Sequence, residues 1–171
     1  MLKSVQISNI ALIEDVEIQF GPGLNIISGE TGAGKSIILN SLYLILGEQA
    51  KTDLIRTGKD SARVHAVFDI SGYHELKAYL ENEAGIPMED SLLIIDREID
   101  SQKGSAAFIN NRRVLLSTLK SVGVYLIDIH GQHQNQSLFD RANHLKLLDK
   151  YAGIEEQVNR YRAGFQKAIQ L

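Results

Sequence analysis

The sequence predicts an α/β fold built around a phosphate-binding loop and joined to an antiparallel β subdomain. Three observations predict it. The run Gly29-Glu30-Thr31-Gly32-Ala33-Gly34-Lys35-Ser36 fits G-x-x-x-x-G-K-[ST] in full. Two stretches of apolar–polar alternation precede it, and an apolar segment of helical length follows it. A strand before the loop and a helix after it are what that motif needs in order to hold phosphate.

Each element has its own signal. Val5 and Ile7 alternate with Gln6 and Ser8, and Val16, Ile18 and Phe20 alternate with Glu17 and Gln19. This predicts two half-buried strands forming a hairpin through residues 9–15. Gly21-Pro22-Gly23 is a turn, and Leu24 to Ser28 reads as a short buried strand entering the loop. Ile37 to Leu46 is an apolar helix with Gly47 as its C-terminal cap. Residues 48–62 read as a loop with a short turn. Val64, Ala66, Phe68 and Ile70, alternating with His65 and Asp69, predict a fourth strand. His74 to Ala84 looks helical and ends near Gly85-Ile86-Pro87. Leu92 to Ile99 and Ser105 to Asn110 predict a second hairpin across residues 101–104. Leu115 to Val122 reads as a short helix, and Val124 to Ile129 as a buried strand leading into the polar run 130–136.

The pattern then changes. Leu145, Leu148 and Tyr151 share a helical face, and Ile154, Val158, Tyr161, Phe165 and Ala168 recur at coiled-coil spacing. A terminal helix packed on its own domain and the root of a longer coiled coil both fit; the second is favoured. The expected organisation is a head segment over 1–153 and the start of a coiled-coil helix over 154–171.

Composition narrows the classes. Eighteen Lys/Arg against 21 Asp/Glu give a net charge of −3, which argues against a basic nucleic-acid binder as a whole-chain reading. The absence of cysteine excludes disulfides, thiolate zinc sites, iron–sulfur clusters and a cysteine nucleophile. No apolar run has the length of a secretion signal or a membrane span, so no membrane partner and a cytoplasmic location are expected.

In the loop, the glycines allow torsions that turn successive N–H groups inward as an anion nest, and the helix start adds unpaired N–H groups and a positive dipole end. Lys35 is expected to reach the β- and γ-phosphates of ATP, and the Ser36 hydroxyl to ligate Mg²⁺. For the magnesium carboxylate, Asp128 and Asp96 each end an apolar run; Asp128 is better placed, because more strand-like sequence follows Asp96. Both also fit a solvated strand edge. His130 and His133 lack an evident third metal ligand. In that run the favoured reading places a glutamine amide oxygen beside Mg²⁺ and the attacking water, Gln132 first, with Gln134 and Gln136 as alternatives. No N-K-x-D guanine motif occurs. Arg112-Arg113 could serve an acceptor lid. Arg56 and Arg63 could touch phosphate or DNA, with plain surface charge the simpler account.

The segment Leu2 to Ile13, the loop Ser28 to Ser36, and Ile127-Asp128-Ile129-His130-Gly131-Gln132-His133 closely resemble the RecN family of bacterial DNA repair proteins, which are SMC-like ATPases of double-strand-break repair. The resemblance covers essentially the whole chain as the N-terminal half of an ABC-type head. It implies that Gly29, Glu30, Thr31, Gly32, Ala33, Gly34, Lys35, Ser36 and Ile37 bind ATP. It also implies that Gln132 is the Q-loop glutamine, and that residues from about 154 begin the coiled coil. The C-terminal half would bring the signature motif, the magnesium carboxylate and the catalytic glutamate, which argues against Asp96 and Asp128. A second head would close an ATP-dependent dimer, and DNA would be a partner of the full-length protein, with nucleoid association on DNA damage. The chain departs from the complete family pattern in having no L-S-G-G-E signature; Ile70-Ser71-Gly72-Tyr73-His74-Glu75 imitates it weakly and reads as a strand end. A self-contained P-loop phosphotransferase and a nucleotide-sensing interaction module are the competing functions.

Overall fold

A computed structural model describes residues 1–29, 34–129, 148–149, 151–154, 157–158, 160–161, 164–165 and 168. The chain divides into two compact units, Met1–Asp128 and Ile129–Leu171.

The first unit is a six-stranded antiparallel sheet carrying three α-helices. Its strands are β1 (Leu2–Ile10), β2 (Ile13–Gln19), β3 (Ser61–Asp69), β4 (Leu92–Asp100), β5 (Gly104–Ile109) and β6 (Arg112–Val114), in the order β2-β1-β3-β4-β5-β6. The helices are α1 (Lys35–Ile45), α2 (His74–Asn82) and α3 (Leu116–Leu126). Both predicted hairpins form. In the first, Val5 faces Ile18 and Ile7 faces Val16; in the second, Arg97 faces Ala107 and Ile99 faces Ser105. β1 also pairs with β3, Val5 opposite Ala66 and Ile7 opposite Val64. Alternation therefore collects Val5, Ile7, Val64, Ala66, Phe68, Leu93, Ile95 and Ile109 into one buried cluster, which Leu44 and Ile45 of α1, Leu76 and Leu80 of α2, and Leu119 and Val122 of α3 complete.

α1 buries Ser41, Leu44 and Ile45 and half-buries Ile37, Ile38 and Leu42, an i/i+3/i+4 stripe. Its end is fixed by glycine, as expected. Gly47 has φ +90°, and its N–H donates to the Leu44 carbonyl at 3.1 Å. α1 and α3 come together through two glycines. A Cβ on Gly47 would lie 2.9 Å from the Lys120 backbone nitrogen, and one on Gly123 would lie 3.0 Å from the Leu46 carbonyl oxygen.

Two expected strands are absent. Residues 24–29 lie in no ladder, and Leu24 and Ile26 are 87% and 79% exposed. A buried strand needs neighbours on both sides, and no described strand flanks this run. Val124 to Leu126 are not strand either, because α3 continues through them. Leu116, Leu119, Val122–Gly123 and Leu126 keep the helical spacing toward the core, while Val124 turns outward at 82% exposure. Extended backbone begins only at Ile127 (φ −141°, ψ 131°). β6, three residues long, carries too little pattern to be read from sequence. Among the described residues, no helix is long and apolar enough to cross a membrane.

In the second unit, described residues from Leu148 to Tyr151 and from 157 to Ala168 are helical, separated by Gly153 at φ +65°. The Val158 N–H donates to the Ile154 carbonyl at 3.1 Å, and the Tyr161 and Phe165 rings stack at 6.0 Å.

Candidate functional site

The two flanks of the phosphate loop are each anchored. Upstream, Asn25 closes the turn after β2: its Oδ1 accepts from the Gly21 N–H at 3.1 Å, and its Nδ2 donates to the Gly21 and Gly23 carbonyls at 2.9 and 3.2 Å. The chain then runs without ladder partners to Gly29. Downstream, α1 starts at Lys35 with Gly34 at its N-cap (φ −108°, ψ −48°). Gly34 offers no side chain to cap the helix, and no acidic residue occupies its first turn. The positive dipole end of α1 favours an anion there.

Lys35 Nζ reaches back to donate to the Gly29 carbonyl. Lys35 and Ser36 are both exposed at the helix start. Ile37 is half-buried, and its carbonyl accepts the Ser41 hydroxyl at 2.8 Å, which ties the first turn to the buried face of α1. Gly29, Gly34, Lys35, Ser36 and Ile37 thus converge on one end of α1. Glu30, Thr31, Gly32 and Ala33 lie outside the described residues, as do His130, Gln132, His133, Gln134 and Gln136.

The two carboxylates separate. Asp128 follows α3 on exposed backbone. Asp96 sits mid-strand in β4, only 3% exposed, opposite His65. Its Oδ1 accepts from Arg63 Nε at 2.8 Å, from Arg63 Nη2, and from His65 Nδ1 at 2.9 Å. That oxygen is committed to a cross-strand network on the face of the sheet opposite the apolar cluster. Arg63 is engaged there. Arg56 anchors the β1–β2 turn, Nη1 donating to the Leu12 carbonyl at 2.6 Å, and Arg112 Nη1 donates to the Gly85 carbonyl at 3.1 Å. These arginines have structural partners.

Sequence reasoning passed over Arg97. It stands on the apolar side of β4 with Leu93, Ile95 and Ile99, and is 2% exposed. The signal was its place in that odd-numbered alternation, where a charged residue is out of pattern.

Comparison with known proteins agrees with the fold. The AAA domain family profile matches residues 4–170. The DNA repair protein RecN of Bacillus subtilis (strain 168) is 36% identical over 173 aligned residues, covering 100% of this chain and 30% of that protein. RecN of Xylella fastidiosa (strain Temecula1) is 39% identical over 158 residues, covering 92% of this chain and 28% of its own length. The chain therefore spans less than a third of these curated relatives. Among solved structures, the Smc head domain with an extended coiled coil from Pyrococcus furiosus superposes with a TM-score of 0.68 at 20% identity, over 99% of this chain and 46% of that one. The fold is that of an SMC-type head segment. The profile match from Ser4 to residue 170 shows that the chain belongs to the AAA domain family, and along its whole length it is similar to the DNA repair protein RecN.

Proposed function

We propose that this chain is the nucleotide-binding half of an SMC-like ATPase head that acts in DNA double-strand-break repair. The observation that best supports the reading is the start of α1, where Lys35 and Ser36 stand exposed, Lys35 Nζ donates to the Gly29 carbonyl and no acidic residue occupies the first turn. Backbone N–H groups from Gly29 to Ile37 cradle the β- and γ-phosphates of ATP, and Lys35 supplies a point charge to them. The Ser36 hydroxyl and the Gln132 amide oxygen (Gln134 or Gln136 in its place) suit Mg²⁺, a hard ion that takes oxygen ligands. When bound, that ion offsets charge building on the phosphate oxygens.

The site is one part of a divided one. Among the described residues, no three His, Cys, Asp or Glu side chains gather as a metal-binding group. The chain spans only 30% of its Bacillus subtilis relative. The run Leu24–Ile27 presents apolar side chains with no ladder partner. A C-terminal head half supplies the missing strands, the signature motif and the catalytic carboxylates. Two heads then close on ATP, and hydrolysis reopens them, moving the coiled coils that begin near residue 154 or releasing DNA. The protein works in the cytoplasm and joins the nucleoid when DNA is damaged.

Calorimetry with ATP and Mg²⁺ tests the loop: the chain binds and Lys35→Ala does not. Equal affinity for both removes the loop from the account. ATPase and dimerisation assays with and without the C-terminal half test the divided site. Steady turnover by the 171 residues alone, abolished by Asp128→Ala, favours a self-contained phosphotransferase instead. Binding without turnover even when the second half is supplied favours a nucleotide sensor.

A further inference from the structure

Arg97 is a buried cation with too few acceptors. Its Nη2 donates to the Glu48 carbonyl at 3.3 Å and to the Ser105 hydroxyl at 3.5 Å, both long, and among the described residues its Nε has no partner. Among the described residues, no carboxylate lies within ion-pair distance of it. Burial alone pushes its pKa down. A guanidinium carries five N–H donors in a fork matched to a two-oxygen acceptor, and an unpaired buried charge is expensive to keep.

Arg97 also forms part of the wall of an open cavity of about 530 Å³. Ser105 and a second cation, Arg113, line it, with Ala107, Val114 and Leu116 as apolar walls. This cavity lies toward the C-terminal end of α1, since Glu48 follows that helix, whereas the phosphate loop lies at the other end. Eleven residues of helix separate the two by about 16 Å. The cavity is too large for a bare inorganic ion, and its apolar walls would leave most of such an ion's hydration unreplaced.

We propose that this cavity is a second binding site, for a carboxylate carried on an apolar body, with Arg97 as its anchor and Arg113 and Ser105 as supporting contacts. The carboxylate comes either from a free organic acid or from an acidic side chain elsewhere in the full-length protein. The inference does not rest on the proposed ATPase function.

The test is a titration of the chain with sodium benzoate, following the Arg97 Nε–H and the Ser105 and Ala107 amides by NMR, with benzyl alcohol and inorganic phosphate as comparison probes. Benzoate is expected to shift all three resonances saturably with a millimolar Kd. Arg97→Gln should weaken the response of the two amides at least tenfold, and benzyl alcohol should give no saturable shift. Arg113→Gln, at the exposed rim, should weaken benzoate severalfold in a chain whose fold is not in question. No saturable response to benzoate, an equal response to benzyl alcohol, or a response to phosphate alone overturns the proposal. Repeating the titration with the chain joined to its C-terminal half separates the sources. Continued benzoate binding identifies a free acid as ligand. An Nε–H already shifted downfield and indifferent to benzoate identifies a side chain of the protein. An unshifted Nε–H that benzoate does not move there overturns the proposal.

Discussion

Replacing Gly47 with alanine should be among the costliest single methyl additions in the chain, because two independent penalties fall on one atom. Gly47 has φ +90°, where an L residue costs about 1–2 kcal/mol. The new Cβ would also meet Lys120, 2.9 Å from its backbone nitrogen and 3.1 Å from its Cα, contacts that a side-chain rotation cannot relieve. Overpacking of that kind costs about 1–3 kcal/mol. Alanine's stiffer unfolded chain returns about 0.4–1 kcal/mol. The net expectation is a loss of about 1–4.5 kcal/mol, centred near 3. Two companions separate the causes. Gly58 has φ +83° with nothing within 4 Å of a Cβ, so Gly58→Ala carries the torsional penalty alone and should cost about 1 kcal/mol. Gly123 lies inside α3, where alanine's helix propensity returns about 1 kcal/mol against the 3.0 Å approach to Leu46, for a net loss of about 0–2 kcal/mol. Urea unfolding with an unchanged m-value reads all three. If Gly47→Ala falls within 0.5 kcal/mol of Gly58→Ala, on the order of the resolution of such comparisons, the backbone contact between the end of α1 and α3 has been misjudged.

Three further outcomes are expected. Asp96→Asn removes a buried charge from Arg63 and His65; because Arg63 is half exposed and can hydrate, the loss should be about 1–2 kcal/mol and should shrink in an Arg63→Ala background. Asp69 has its pKa lowered from 3.8 to about 2, chiefly by accepting the Ser71 backbone N–H. Its contribution is therefore present above pH 4 and lost as pH falls toward 2, and Asp69→Asn should flatten the acid limb of a stability-against-pH curve. DNA binding by the chain alone should be weak given its charge of −3, and steeply reduced by added salt where it occurs; tight binding that ignores salt contradicts the charge argument.

Much of the fold was legible because alternation and turn chemistry are local. Val5/Ile7, Val16/Ile18 and Val64/Ala66/Phe68 each announced a face, and Gly47 announced the end of α1 in the position its φ requires. Leu24–Ser28 was misread because an apolar run has the same composition whether or not neighbouring strands exist to pair with it. Val124–Leu126 was misread because β-branched and aromatic residues look strand-like, while the packing of Gly123 and Leu126 holds the helix to its end. In the site, the motif located Lys35 and Ser36 at the start of α1. The strand-like sequence after Asp96 marked it as mid-strand, and β4 bears that out; nothing local announced its partners Arg63 and His65 on β3, which are more than thirty residues away in sequence. Arg97 was legible in principle from its parity with Leu93 and Ile95.

The bare stretch from Leu24 to Ile27 has a practical side. An exposed apolar run whose main-chain groups join no ladder is a template for self-association, the more so at the concentrations that spectroscopy demands. Producing the polypeptide together with whatever normally zips along this edge, or placing a lysine at Ile26 as a gatekeeper, should decide whether it stays monodisperse in the tube.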